Sequence, residues 1–162
     1  MLQFFRTRPV TDPVLGELVR SRFYWRGSIA LGGRQVPLAL GGSRSGPAAE
    51  ATGIAHVLPR MWLAARELLQ RAIFDHYLPY AEAGPPSLAS EPPPVISAPD
   101  GVWEYVQLES VSVTRWNAYF KRAFVAEIAL RVHWDEEHTL GARFINGQFT
   151  ELNGSIVPVG RL

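Results

Sequence analysis

From Ala48 to about Tyr80 the apolar residues Ile54, Val57, Leu58, Met61, Trp62, Ala65, Leu68, Leu69, Ala72, Ile73, His76, Tyr77 and Tyr80 recur at spacings of three and four. That period predicts a long amphipathic helix with one buried stripe. Arg60, Arg66, Glu67, Arg71 and Asp75 fall mostly off the stripe, as a solvated face requires. Pro59 lacks a backbone donor and clashes with the preceding turn, so a kink, or two helices meeting near Leu58, is expected. His76, on the stripe's edge, reads as a packing histidine.

Elsewhere the period is two. Strands are expected at Gln3 to Arg6, Gly16 to Arg20, Phe23 to Leu31 and Gln35 to Leu40, the last two joined by Gly32-Gly33, a pair suited to a tight hairpin. In the third strand Phe23, Trp25, Gly27, Ile29 and Leu31 share the expected core face, with Gly27 marking a bulge or a close backbone approach. Beyond residue 100, Asp100 is expected to cap a short helical turn, followed by a strand from Ser110 to Arg115 with Val111 and Val113 on one face. A loop follows around Asn117. Phe124, Ala126, Ile128, Leu130, Val132 and Trp134 then alternate with Glu127, Arg131 and His133, a half-buried strand. A polar turn at Asp135 to Thr139 leads into the strand Leu140 to Ile145. Asn146-Gly147 signals a hairpin to Gln148–Leu152, and Asn153-Gly154 a last one returning Ser155 to Val159, with Pro158 confining it to an edge.

Six prolines between positions 83 and 99 exclude helix and central strand alike. That segment is read as a proline-rich surface connection within a single domain spanning residues 1–162. The fold class that follows is α+β: a largely antiparallel sheet, built from an N-terminal meander and C-terminal hairpins, packed on a long kinked helix.

Composition narrows the chemistry. No cysteine is present, which excludes a disulfide framework, a thiol nucleophile and thiolate metal sites. Sixteen basic residues balance fifteen acidic ones, an argument against nucleic acid as the partner. No apolar run approaches the ~20 residues of a membrane span, and the first residues lack the pattern of a secretory signal. A cytoplasmic bacterial protein without a membrane partner is the expectation. Gly41-Gly42-Ser43-Arg44-Ser45-Gly46-Pro47 has the glycine spacing of a phosphate loop. Pro47 and Ala48, however, stand where lysine and a hydroxyl are needed, and Ser45 as helix cap with Pro47 in the first turn explains the same residues.

Ionisable groups concentrate at His133-Trp134-Asp135-Glu136-Glu137-His138. Three readings compete. His133, Asp135 and His138 could converge as ligands of a divalent metal, the one cofactor these residue types suggest, in a metal-dependent hydrolase. In the plainer reading Asp135 and Glu136 accept backbone hydrogen bonds in the turn, Trp134 packs inward and His138 partners a carboxylate. In the third, Trp134, Asp135, Glu136, Glu137 and His138 form a polar surface that binds a protein partner.

The run from Trp134 to Gly141, followed by Arg143-Phe144 and Asn146-Gly147-Gln148-Phe149, resembles the end of a group of small uncharacterised bacterial domains with a Trp-Asp-x-Glu-His turn before a hairpin. Phe23-Tyr24-Trp25-Arg26-Gly27 is similar to their N-terminal strand. Some of those domains resemble immunity proteins that neutralise toxins of neighbouring cells. The resemblance implies protein binding and assigns no residue a role. A non-enzymatic interaction module, of immunity type, is the leading expectation, with the hydrolase as alternative.

Overall fold

The computed structural model describes residues 7–85, 91–118 and 121–158; the expected strand at Gln3 to Arg6 and the end of the last hairpin, Val159, lie outside them. Among the described residues the order is β1 (Val10–Asp12), β2 (Gly16–Ser21), β3 (Tyr24–Leu31), β4 (Arg34–Gly41), α1 (Ala49–Ala64), α2 (Arg66–Ala83), a 3₁₀ turn (Pro99–Tyr105), β5 (Val106–Ala118), β6 (Lys121–Val132), β7 (Asp135–Ile145) and β8 (Gln148–Ile156). The strands form an eight-stranded sheet in sequence order. Every neighbouring pair is antiparallel except β4 and β5. A parallel pair needs a long crossover, and both helices and the proline-rich segment supply it. The fold is therefore α+β, with the two strand-rich ends of the chain in one sheet.

Local chemistry sets the hairpins. Gly32 and Gly33 have φ of 59° and 78°, and Asn146 and Gly147 have 51° and 81°, the left-handed pairs that match strand twist. Asn153-Gly154 makes no hairpin. β8 runs on through it to Ile156, with Gly141 paired to Asn153 and Thr139 to Ile156, because a neighbouring strand is there to hold it extended. Asn117 is likewise strand, paired with Arg122.

Buried helix positions run Ala51, Ala55, Leu58, Trp62, Ala65, Leu69, Ile73 and Tyr77, and they pack on Trp25, Ile29, Leu40, Val113, Ile128 and Leu140 in one core cluster. Val57 and Leu68, expected on the stripe, are exposed at 37% and 63%; the buried face is narrower than hydrophobicity alone suggests. Pro59 lies inside α1 without ending it, and the break comes at Ala65 (φ −89°, ψ −1°). Hydrogen bonds continue on both sides, from Ala65 N–H to Met61 and from Leu69 N–H to the Ala65 carbonyl, so burial of one continuous stripe overrides the local cost of proline.

Gly27 is a close approach: a Cβ there would meet Leu18 Cδ2 at 2.6 Å, while its pairing with Leu38 is unbroken by a bulge. Phe23 is not core. It sits with Arg22 (φ 52°) in the two-residue turn between Ser21 and Tyr24, outside the strand's alternation, and is 77% exposed. Asp100 does not cap the 3₁₀ turn, which starts at Pro99 after an uncapped Ala98. The proline-rich connection is tied down at its end by Tyr77, whose hydroxyl donates to the Pro94 carbonyl (2.6 Å) and accepts from Ile96 N–H (3.2 Å). No helix among the described residues is long and apolar enough to cross a membrane.

Candidate functional site

The turn between β6 and β7 is tighter than the sequence suggests. His133 and Trp134 alone make it, since Val132 already pairs with Asp135. The register then slips, Leu130 facing Leu140, so residues 136–139 bulge outward. Asp135 is buried at its foot. Its carboxylate accepts from the Tyr80 hydroxyl (2.5 Å), from His138 Nδ1–H (2.9 Å) and from the His138 backbone N–H (3.2 Å). Trp134 packs inward at 8% exposure, edge to face with Tyr77 at 5.2 Å between ring centres. Its Nε1–H donates to His76 Nδ1 (3.2 Å). That nitrogen must therefore be unprotonated, which places the imidazole proton on Nε2, 3.9 Å from Asp135 Oδ2.

Burial holds His76 below the ordinary histidine range, Asp135 partly opposing this and His138 reinforcing it. Burial also pushes Tyr80 up, with the hydrogen bond and charge of Asp135 and the charge of Glu137, to about 12. For Asp135 burial acts upward but is outweighed by the Tyr80 and His138 hydrogen bonds, so its carboxyl stays below the usual value. The result is an ionised carboxylate inside a ring of donors, joining the end of α2 to the sheet.

His133 lies apart from this set. It is exposed, with its ring 5.8 Å from that of Tyr105 and its N–H bonded to the Tyr105 carbonyl (3.1 Å). The structure thus brings Asp135 and His138 together and replaces His133 by His76. The reason is that a two-residue turn directs its first side chain to solvent while Asp135 is already in the ladder. Among the described residues no group of three His, Cys, Asp or Glu is placed to hold a metal ion. Glu136 and Glu137 are exposed. Chemically, Asp135 orients one imidazole, His138, which is 47% exposed. His76 and Tyr80, one helical turn apart, were legible only as packing residues.

A second Asp–His contact joins β1 to α1, where Asp12 accepts from His56 Nε2 (2.9 Å) and from Val14 and Leu15 N–H (2.9 and 2.8 Å). Its carboxyl is shifted up by burial and, more strongly, down by those donors. Both backbone donors belong to the adjoining turn, so Asp12 closes the β1–β2 hairpin.

At the other end of the sheet a groove of about 840 Å³ opens between Phe23, Tyr24, the loop 41–48, Thr114, Arg115 and Phe124. Little in the sequence pointed to it, because Phe23 reads as core and Ser45 as a helix cap. α1 is instead preceded by Ala48 without any side-chain cap, and the Ser45 hydroxyl bonds to that of Ser43 (2.6 Å). Gly42 pairs with Pro47, folding residues 43–46 into a closed loop just before the helix. Its rim is anchored to the core through the Ser43 carbonyl, which accepts from Trp25 Nε1–H (3.0 Å) and from the Arg20 guanidinium. Gly41 lets the Phe124 ring approach, since a Cβ would stand 3.2 Å from it, and Arg115 lies 5.3 Å over that ring.

Gly42 is indispensable to this loop. An added Cβ would meet Gly46 O at 2.4 Å, Pro47 Cα at 2.7 Å and Ala48 N at 2.9 Å, all backbone. Gly42→Ala is expected to cost about 1–3 kcal/mol in thermal unfolding. Gly46→Ala, with nothing within 4 Å, should stay within about 0.5 kcal/mol; equal effects would show that the Gly42 contact is relieved by a loop shift.

A family model described as a domain of unknown function, DUF6985, matches residues 14–156. No curated protein and no solved structure matches the chain.

Proposed function

The chain belongs to the DUF6985 family of domains of unknown function, and within it we propose that this protein is a non-enzymatic interaction module that grips a protein partner at the groove end of its sheet. The observation that carries the reading is the exposure of a large aromatic residue at that end, Phe23 at 77%, beside arginines and a preformed depression. Aromatic side chains anchor interfaces because they bury large area with few rotatable bonds, and arginines add directed, paired hydrogen bonds. Nothing in the core requires Phe23 to be aromatic. An immunity-type role, in which the module covers a toxin protein, is one use of such a surface and accords with the similarity noted for the Trp-Asp-x-Glu-His turn.

The acidic turn supports this reading less well than expected, because Trp134 and Asp135 are committed to contacts with α2; Glu136, Glu137 and His138 remain at the surface. For the rival hydrolase, His133 stands against Tyr105 instead of beside Asp135, and no specific observation favours it.

A photo-crosslinking residue in place of Phe23, expressed in the native cells, tests the proposal. One dominant adduct is expected, absent when the same group replaces Ala30 at the far end of β3. No adduct, or the same adducts from both positions, would refute it.

A further inference from the structure

The formal charge of +1 conceals a sorting of charge along the strands. Arg22 and Arg44 are exposed at the groove end. Arg20 is fixed there on Ser43, and Arg115 lies over the Phe124 ring. Glu50, at the start of α1, is an acidic neighbour of this end. At the opposite end lie Asp135, Glu136 and Glu137 at the start of β7 and Glu104 in the 3₁₀ turn, against Arg34 at the start of β4 and Arg131, which is paired with Glu109. Antiparallel pairing puts these groups at the two ends: Ser21–Tyr24 and Tyr24–Gly41 close one, and Leu31–Arg34 and Val132–Asp135 close the other.

We infer that the segment bound in the groove is acidic: a carboxylate-rich stretch of a partner protein carrying one apolar side chain. This rests on the interaction reading above. The apolar side chain would lie against Phe23, Tyr24 and Phe124, while the guanidiniums around the rim take the carboxylates in paired hydrogen bonds. Arg115 already lies over the Phe124 ring, 5.3 Å from its centre, so part of the ordering cost of binding is met in advance. The charge gradient would steer an acidic segment to this end and repel it from the other. A nucleic acid fits less well, since a long polyanion leaving the groove along the sheet would run onto the acidic end.

Selection of random 12-residue peptides by the intact chain, displayed without a bias in charge, tests the inference. The expected winners are enriched in Asp and Glu around an aromatic or leucine, lose at least tenfold in affinity on Arg44→Glu, and weaken steadily with salt. They are also displaced by Phe23→Ala. Winners that require Phe23 but show no acidic excess would overturn the inference and leave the interaction reading standing; an absence of any Phe23-dependent winner would overturn both. Oligo-dT, and vesicles containing phosphatidylserine, serve as competing probes: binding of either at the affinity of the acidic peptides, with the same dependence on Arg44, would also overturn it.

Discussion

Asp135→Ala is expected to lower the unfolding free energy by about 3 kcal/mol, in the range for removing one member of a buried charged network. The loss is large because the carboxylate serves several donors at once. Without it the Tyr80 hydroxyl and the His138 Nδ1–H lose their acceptor, and the bulge 136–139 loses the bond from His138 N–H that shapes it. Urea unfolding of the two proteins measures the difference. Asp135→Asn should fall between them, since an amide oxygen can still accept from Tyr80 whereas its NH₂ opposes His138. A cost under about 0.5 kcal/mol for the alanine variant, typical of a surface change, would mean that this cluster does not hold α2 to the sheet.

The same cluster predicts the pH dependence. His76 is held below its ordinary value near 6.5, so on acidification the unfolded chain takes up the proton first. Its contribution is complete above 6.5 and is lost as pH falls through the lowered pKa, where a protonated Nδ1 would also face the Trp134 N–H. Asp135, lowered from 3.8, adds stability that is present above 3.8 and declines further down. Tyr80 acts at the other limit. Its pKa is raised from 10.0 to about 12, so its contribution is intact below 10 and is lost as pH rises toward 12. Thermal midpoints across pH should therefore fall in an acid stage beginning near 6.5, and His76→Gln, which keeps a side-chain acceptor for Trp134, should remove that stage. A profile that stays flat as pH falls below 6.5 would contradict the assignment.

Trp25→Ala should be at least as damaging, about 4 kcal/mol, as for other buried tryptophans. Trp25 is fully buried and stands in the middle of the N-terminal meander. Its indole N–H also fixes the Ser43 carbonyl at the groove rim, so the substitution removes core volume and a loop anchor together. For a chain of this size that corresponds to a fall in Tm of roughly 10 °C or more, read by calorimetry. Trp25→Phe isolates the second effect: it keeps most of the apolar area, should cost about 1–2 kcal/mol, and should weaken capture at the groove more than its stability loss explains. If Trp25→Ala shifted Tm by only a degree or two, the meander would not be part of the common core.

What could be read in advance was whatever depends on neighbours along the chain. The alternation of Phe124 to Trp134 set a buried face, Gly32-Gly33 and Asn146-Gly147 set turns, and the three-and-four spacing after Ala48 set a helical stripe. Each is a local steric or hydrophobic preference, and each survives in the structure. Where a distant partner competes with a local preference, local reading failed. Asn153-Gly154 is turn-forming chemistry, yet β8 stays straight because β7 supplies its hydrogen bonds. Pro59 breaks helices, yet the core-facing stripe carries α1 past it.

The candidate sites followed the same division. That Asp135 and His138 would meet was legible, being three residues apart in a turn. That His76 and Tyr80 would complete the ring, with His133 left outside, depended on where α2 crosses the sheet, a contact spanning 55 residues in the case of Tyr80 and Asp135. The sequence by itself determined the elements and their apolar faces, because periodicity is a property of consecutive residues. Only the tertiary structure decided which polar groups share a site, which aromatic residues reach solvent and that Arg20, Arg22, Arg44 and Arg115 gather at one end of the sheet, because those depend on strand order and on the parallel join of β4 to β5, which places residues far apart in the chain at one end of the sheet.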